Sequence, residues 1–443
     1  MRRRFLIAGA GAALAAAALS LGDALQGGGS GRAAAPATPR AVRSDSALVG
    51  AGAGAGLRSA ATTVTQLQAR LRANPGDARS YALLGLAYEQ RARETGDPTY
   101  YPKADGALHR ALALAPSDLI ATGGLASLAL SRHRFREALA LGRKALRTSP
   151  TTALTYGIVG DAQLELGRYD EAFRAFDTMA RLKPGLASYS RVSYGRELLG
   201  QTAGAIQAMR LAVDAATSER EPTAWTHWQL GKLYWSVGRL DAAEHEYRAA
   251  LAAFPGYVYA LDALAQVESA RGDVSKAIAL ERHAVDEIPL PQFVGSLGDL
   301  YRTAGRPELA RRQYGLVGVI QRLLVANGVK TDLETALFDV DHAIRLPHAL
   351  ALARRAHADR PSIDGDDVLA WALARNGHCG EALPWSRRAL RLGTRDALKL
   401  FHRGMIERCL GRRAAARAFL GRALALNPHF SILWAPVARK ALR

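Results

Sequence analysis

Apolar and small residues recur at helical spacing through most of this 443-residue chain, from about Thr62 onward. Within residues 225–255, Ala243, Tyr247 and Ala250 follow one another at intervals of four and three, which places them on one stripe of a helix. Pro255 then ends the pattern, as a proline commonly does beyond the last turn of a helix. The pattern predicts pairs of amphipathic helices, each about a dozen residues long.

The pattern also has a fixed period. Equivalent residues lie 34 positions apart at Pro116, Pro150 and Pro184, at Pro255 and Pro289, at Gly377 and Gly411, and at Ala389 and Ala423. A period of this size indicates a repeat protein, in which each unit buries its apolar surface on its neighbours. Such an array lets a long chain form one extended domain, where its length would otherwise suggest roughly two to four globular ones.

Residues at fixed places in the repeat resemble the tetratricopeptide repeat family. The clearest unit has these signature residues: Leu230, Gly231, Tyr234, Gly238, Ala243, Tyr247, Ala250 and Pro255. Units near Leu84, Leu297 and Gly404 match at several of the same places. Two units depart from the pattern, because one has Ser193 where glycine is expected and the unit at 332–361 lacks the glycine of the turn.

The resemblance implies an all-α, right-handed superhelical solenoid of about ten helix pairs over residues 59–443. We expect the helix at 62–74 to cap one end of the array. The last segment, 429–442, should cap the other end, with Phe430 and Trp434 covering the exposed core.

Two segments interrupt the register of the repeat. The connection at 214–224 is longer than the others, and 307–327 predicts one long helix that ends at Gly328. Either segment could bend the superhelix. Neither has the composition of a domain linker.

In this family, the first helix of each pair lines a concave face that commonly binds segments of other proteins. At about 100° per residue, Trp225, Trp228, Lys232 and Trp235 occupy one face of such a helix, opposite Leu230. The equivalent helices of later units place these residues in register with them: Glu334, Phe338, Asp341, Asp367, Trp371, Phe401, Met405 and Arg408. Aromatic residues with a few charges are typical of protein-binding hot spots.

A second interpretation stays open, since aromatic residues at helical spacing also pack between neighbouring repeats. For the helix at 225–237 we expect Trp228 to be largely buried, while Trp225 or Trp235 is partly exposed. Burial of all three indoles would exclude a groove at this unit.

The amino-terminal segment has the pattern of an export signal. Arg2, Arg3 and Arg4 precede an apolar run at 5–19, and the order of arginines and apolar residues resembles the twin-arginine motif. We therefore expect residues 1–25 to be a signal peptide or an amino-terminal anchor, with 5–21 as the membrane-anchoring stretch if it is not cleaved. Residues 26–58, rich in Gly, Ala and Pro, should form a disordered linker.

The chain carries a formal net charge of +19, from 59 Lys and Arg against 40 Asp and Glu. This charge is compatible with nucleic acid, an anionic membrane surface or an acidic partner. The basic residues form no continuous tract and have no interleaved aromatics of the kind that stack on bases, so we expect them to be spread over solvated helix faces.

The only two cysteines, Cys379 and Cys409, should lie at adjacent helix ends, where a disulfide is possible, although two free thiols remain the alternative. His342 and His348 do not have the spacing of metal ligands. We recognise no catalytic motif, and we expect no cofactor and no enzymatic activity.

These observations together predict a non-enzymatic scaffold of the bacterial cell envelope. It would be exported to the periplasm, the cell surface or the medium and would bind protein or peptide segments on its concave face. Contact with a membrane would occur only through the amino-terminal segment. Two alternatives remain: a structural subunit that assembles with itself, and an intracellular regulator that binds nucleic acid through its basic charge.

Overall fold

The computed structural model describes residues 60–216 and 220–443. The expected signal peptide or anchor at 1–25 and the expected linker at 26–58 lie outside the described residues. Within the described ranges the chain forms 22 α-helices and no β-strand. The all-α prediction is therefore confirmed.

The helices are α1 (Ala60–Ala73), α2 (Ala78–Thr95), α3 (Tyr100–Leu114), α4 (Leu119–Ser131), α5 (Phe135–Thr148), α6 (Ala153–Glu165), α7 (Tyr169–Leu182), α8 (Leu186–Leu198), α9 (Thr202–Asp214), α10 (Arg220–Ser236), α11 (Leu240–Ala253), α12 (Val258–Arg271), α13 (Val274–Glu287), α14 (Pro291–Thr303), α15 (Pro307–Ala326), α16 (Asp332–Asp341), α17 (Leu346–Asp359), α18 (Ile363–Arg375), α19 (Cys379–Ala389), α20 (Ala397–Cys409), α21 (Arg413–Leu426) and α22 (Trp434–Leu442).

Helices α2 to α21 form ten consecutive hairpins in which the second helix packs on the first, and each of these second helices except α15 also packs on the helix that follows it. Helix α1 packs on α2, and α22 packs on α21, so both ends are capped as the sequence predicts. The result is a superhelical solenoid of helix pairs. We call the bend within a pair a hairpin turn and the connection to the next pair a linking loop.

The signature residues occupy the places where the two helices of a hairpin cross. A Cβ atom on Gly231 would overlap the ring of Tyr247, so only glycine allows this close approach. In the poorly matching unit, Ser193 takes the same place. Its hydroxyl is buried and donates a hydrogen bond to the carbonyl of Ala205 at 2.8 Å. A small polar residue therefore preserves the crossing by bonding to the facing helix.

The hairpin turn requires a left-handed backbone conformation. Gly238 adopts it with φ of 73°. In the unit that lacks the glycine, Ala343 and Arg345 take positive φ values of 56° and 43°. This conformation costs an L-residue roughly 1–2 kcal/mol, so the missing glycine is accommodated at a price in strain.

The two interruptions of the register appear where the sequence predicts them. Helix α10 begins at Arg220, beyond the lengthened connection, and α15 runs for 20 residues. The second half of α15 contributes Ile320 and Leu324 to an apolar core shared with Tyr88 and Leu108 of the first unit. The additional length of α15 thus joins distant parts of the superhelix.

Successive turns of the superhelix are in direct contact, which the sequence did not predict. Residues 192 to 197 positions apart are hydrogen-bonded to one another. The amide of Ile363 donates to the hydroxyl of Tyr169 at 2.6 Å, and Asn427 Nδ2 donates to the carbonyl of Trp235 at 2.8 Å. Each contact joins a hairpin turn of the first superhelical turn to a linking loop of the second.

We call this line of contacts the inter-turn seam. It joins the hairpin turns near residues 133, 167, 200 and 238 to the linking loops at 327–330, 359–363, 393–395 and 426–428. The solenoid is closed along the seam. The seam therefore joins successive superhelical turns beside the concave face that the sequence predicts.

Candidate functional site

The inner wall of the first superhelical turn contains a cavity between α6, α8 and α10, the first helices of three successive units. Each helix presents a polar stripe to it. The lining residues of each helix are spaced so that they share one face of that helix. The polar and aromatic ones are Asp161 and Glu165 on α6, Ser190, Tyr194 and Glu197 on α8, and Trp225, Gln229 and Lys232 on α10.

One side of the cavity is closed by a buried ion pair. Arg191 Nη2 lies 2.8 Å from a carboxylate oxygen of Asp161, and Arg191 Nη1 donates to the carbonyl of Ala187 at 3.0 Å. Burial raises the pKa of Asp161, and the guanidinium of Arg191 opposes that rise. This pair is a fixed, neutralised part of the wall.

The inter-turn seam contributes a second buried pair beside the cavity. The guanidinium of Arg360 hydrogen-bonds Glu165 across the seam, and its Nη1 lies 2.8 Å from Glu334 of its own superhelical turn. Burial raises the pKa of Glu165, against the effect of Arg360. Arg360 thus links the cavity wall to the second superhelical turn.

Two donors on α10 remain without a matching acceptor. Trp225 is only 5% exposed, and its indole Nε1 has no hydrogen-bond partner among the described residues. Lys232 Nζ lies 4.7 Å from the centre of the Trp228 ring and forms no ion pair in the described part of the chain. Burial lowers the pKa of Lys232, although Glu197 and Asp262 favour its charged form.

The facing helix supplies an acid in a similar position. Burial raises the pKa of Glu197, and the ammonium of Lys232 opposes this. Glu197 and Lys232 both keep part of their surface accessible. The cavity can therefore offer an ammonium and an indole N–H as donors and a carboxyl group as an acceptor to a molecule that enters it.

The burial predicted for the indoles of α10 is confirmed. Trp228 is 8% exposed and packs on Tyr259 of the next unit, with ring centres 5.0 Å apart, while Trp235 is partly exposed. Trp228 is thus part of the core between repeats, as the second interpretation allowed. Trp225 and Lys232 line the cavity.

Several candidate residues of the later units lie in the core of the carboxyl-terminal end. Asp367, Trp371 and Phe401 are buried. The ring of Trp371 stacks on His402 at 4.4 Å, and Phe401 lies 5.5 Å from the ring of Trp434. In this structure the three side chains contact their own neighbours and offer no surface to a partner.

The capping segment explains this burial. Asp341 accepts hydrogen bonds from the indole N–H groups of both Trp371, at 2.8 Å, and Trp434, at 3.0 Å. The carboxylate of Asp367 is bonded in the same region to His402, 2.9 Å away. Asp341 therefore fixes the cap onto the inner wall of the last units.

The remaining candidates are dispersed. Glu334 is paired at the seam, and Phe338 is half-buried against Tyr314, with ring centres 5.8 Å apart. Met405 is half-buried and Arg408 is exposed. The structure does not bring the twelve predicted residues into one surface, because several of them pack in the core or pair at the seam.

Sequence reasoning missed the polar stripe of α8. Tyr194 and Glu197 face Trp225 and Lys232 across the cavity. They belong to the unit that matches the repeat poorly. Alignment of that unit with the next one by the turn glycines Gly200 and Gly238 would have placed them in register with the residues of α10.

The two cysteines form a disulfide. Cys379 begins α19 and Cys409 ends α20, as the sequence predicts, and their Cα atoms are 6.2 Å apart. A search of the described residues finds no group of His, Cys, Asp and Glu arranged to hold a metal ion. It also finds no helix with the length and apolar character that would span a bilayer.

Ten stacked hairpins with glycine at the helix crossings define a helical-repeat solenoid. Residues 101–153 and 229–290 match the tetratricopeptide repeat model. The chain therefore contains tetratricopeptide repeats, as the sequence pattern predicts.

Cellulose synthase operon protein C of Xanthomonas axonopodis pv. citri (strain 306) is 30% identical to the chain over 241 residues. The similarity covers 52% of the chain and 15% of that relative, so the chain spans only a small part of it.

Two solved structures are similar to the chain at low identity. The human IFIT1 dimer with PPP-AAAA is 15% identical and has a TM-score of 0.45, over 84% of this chain and 91% of that one. PilW, a type IV pilus biogenesis factor, is 17% identical with a TM-score of 0.39, over 46% of this chain and 93% of that one.

Proposed function

We propose that this protein is a binding scaffold that anchors a partner protein segment by receiving one of its side chains in the cavity of about 60 Å³ between α6, α8 and α10. One observation carries this proposal: the buried indole N–H of Trp225 has no acceptor among the described residues and lies in the same cavity as the ammonium of Lys232. A buried donor without a partner costs about 1–3 kcal/mol. A ligand that supplies acceptors recovers this energy on binding.

Binding is favoured over catalysis by the state of the other charged groups. Arg191 is engaged with Asp161, and Arg360 with Glu165. These pairs bind their partners within the wall, and such buried pairs shape the surface of a site. Tetratricopeptide arrays generally serve as non-catalytic binding surfaces, in agreement with this assignment.

We further propose that the scaffold belongs to the envelope of a bacterium. The export-like amino-terminal sequence supports this location, and the similar region of a bacterial cellulose synthase operon protein supports the bacterial setting. Export is tested by fractionating cells that produce the full chain. Recovery only with the cytosolic proteins would contradict the proposed location.

The binding site is tested with variants that keep the fold. Partners captured from the source organism are identified, and the affinity of the bound segment is measured by calorimetry. Trp225→Phe keeps an aromatic, though smaller, side chain and removes the N–H, so it should weaken binding about tenfold, the equivalent of roughly 1.4 kcal/mol. Lys232→Gln should weaken it as well, through loss of the ammonium.

Trp385→Phe is the matched control, because Trp385 lies on α19 beside His357, away from the cavity. It should bind like the unmodified protein. Equal affinity of all the variants would place the partner elsewhere on the molecule.

A further inference from the structure

The inter-turn seam is a repeated contact between two kinds of surface. On one side are hairpin turns, and on the other are linking loops. Gly167 and Gly200 approach the main chain at Pro361 and Gly393 so closely that a Cβ atom on either glycine would overlap it. Each such contact is repeated in the next unit along the seam, so the interface follows the repeat.

Arginines at one hairpin turn supply some of the hydrogen bonds of the seam. Arg134, the residue before the second helix of its pair, donates to the carbonyl of Gly328 at 3.3 Å. Arg136 donates to the carbonyl of Ala358 at 2.7 Å. Main-chain carbonyls of linking loops are therefore the acceptors that this surface recognises.

The second superhelical turn presents hairpin turns of the same kind with nothing against them. Gly272, Gly305, Gly377 and Gly411 have the same left-handed conformation, with φ between 70° and 93°. No atom of the described chain comes within 4 Å of a Cβ placed on any of them. These four turns form one open edge of the molecule.

The arginine of the hairpin turn recurs at this open edge. Arg306, Arg345 and Arg412 each occupy the position directly before the second helix of their pair, as Arg134 does at the seam. All three are exposed. The open edge thus repeats both the backbone and the donor chemistry of the seam.

The linking loops of the first units form the opposite open edge. Pro116, Pro150 and Pro184 are exposed there, in places equivalent to the seam residue Pro361. Two large apolar side chains beside them, Leu119 and Leu182, are 39% and 42% exposed. This edge is the counterpart of the loops that receive hairpin turns within the molecule.

We propose that copies of this chain associate end to end, with the hairpin turns of the second superhelical turn of one copy against the first linking loops of the next. The contact reproduces the seam between molecules. Because the two edges differ, the association is head-to-tail and leaves both ends of every assembly free to add further copies. The surface is separate from the cavity proposed to bind a partner.

Sedimentation velocity of the full chain over a range of concentrations tests this association. The weight-average sedimentation coefficient should rise with concentration beyond the value of a dimer. Combining Arg306→Glu with Arg412→Glu should abolish the rise. Arg417→Glu, at an exposed position of α21 away from the turn, makes the same change of charge as Arg412→Glu alone and should behave like the unmodified protein, whereas Arg412→Glu alone should weaken the association.

A mixing experiment tests the head-to-tail geometry. A chain with the hairpin edge blocked by the two arginine substitutions and a chain with the loop edge blocked by Leu119→Glu and Leu182→Glu should each be monomeric. Mixed together, they should form a one-to-one dimer, because each retains one intact edge. Circular dichroism on every variant verifies that the helical fold is retained.

Three results would overturn the proposal. The unmodified chain could remain monomeric at all concentrations, its association could stop at a dimer, or the mixed variants could fail to combine while both stay folded. Loss of association in the Arg417→Glu control would also contradict it, since the effect would then be one of overall charge.

Discussion

Substitution of Gly167 by alanine separates the contribution of the inter-turn seam from that of the glycine conformation itself. Gly167 has φ of 72°, and the position of its missing Cβ atom is occupied by the main chain of Pro361. Gly305 has nearly the same φ, 70°, but nothing lies within 4 Å of its missing Cβ. Gly305→Ala is therefore a matched control.

The size of the difference follows from these surroundings. An alanine in the left-handed conformation costs roughly 1–2 kcal/mol at either site, partly offset by the reduced entropy of the unfolded chain. At residue 167 the overlap with Pro361 adds a further 1–3 kcal/mol, about the cost of overpacking. Gly305→Ala should lower the free energy of unfolding by about 1 kcal/mol, whereas Gly167→Ala should lower it by about 2–4 kcal/mol.

Hydrogen exchange followed by mass spectrometry, together with thermal unfolding, measures both effects. In Gly167→Ala, amides at 359–363 should exchange faster, because the Ile363 amide loses its bond to Tyr169 when the two superhelical turns separate. In Gly305→Ala, exchange in that segment should be unchanged. Equal protection of 359–363 and equal losses of stability in the two variants would refute the seam.

Three other substitutions test separate parts of the fold. Glu281 is fully buried and its two carboxylate oxygens have no partner among the described residues. Burial raises the pKa of Glu281 well above the ordinary value of a glutamate. The free energy of unfolding should therefore be highest at a pH below that ordinary pKa and should fall as pH rises through the folded-state pKa. Glu281→Gln should reduce this fall in melting temperature with rising pH, while the neighbouring Asp262, whose pKa burial raises to about 6, retains part of it, and an unchanged fall would contradict the assignment. Ala343→Gly should raise stability by up to about 1 kcal/mol in thermal unfolding by relieving its positive φ, whereas Ala304→Gly, at φ of −77°, should lower it. Under oxidising conditions Cys379→Ser should cost about 3–4 kcal/mol, given the separation of 30 residues between the bonded cysteines; two alkylatable thiols in the unreduced protein would show that the bond does not form.

The hairpins could be predicted from the sequence because local rules determine them. Gly231 and Tyr247 indicate where the two helices of one unit cross. A small residue on the first helix facing a large one on the second recurs at the repeat period. Cap positions followed from the same register. The disulfide between adjacent helix ends could be anticipated as a possibility for the same reason, since the two cysteines lie in neighbouring units.

The inter-turn seam could not be predicted in this way. It depends on the small rotation from each unit to the next, and errors in that rotation accumulate over the five to six units that separate Tyr169 from Ile363. Trp371 and Phe401 are covered by Trp434 of the cap, which the sequence predicted to cover the last core without indicating that it would reach these two rings. A register argument identifies which face a residue occupies but not what covers that face.

The lining of the cavity could be predicted only in part from the sequence. Trp225 and Lys232 were identified from helical spacing, whereas Tyr194 and Glu197 belong to a unit with a weak signature. Contact between neighbouring units is a local property, so a complete alignment of the repeats would have found the facing stripe.

The nuclear magnetic resonance signals of the six indole N–H groups provide the most direct test of binding in this cavity. The signal that disappears in Trp225→Phe belongs to Trp225. On addition of the bound partner segment it should move downfield, because the N–H gains an acceptor, while the Trp385 signal stays in place. A Trp225 signal that does not move when the partner is saturating would contradict the proposed site.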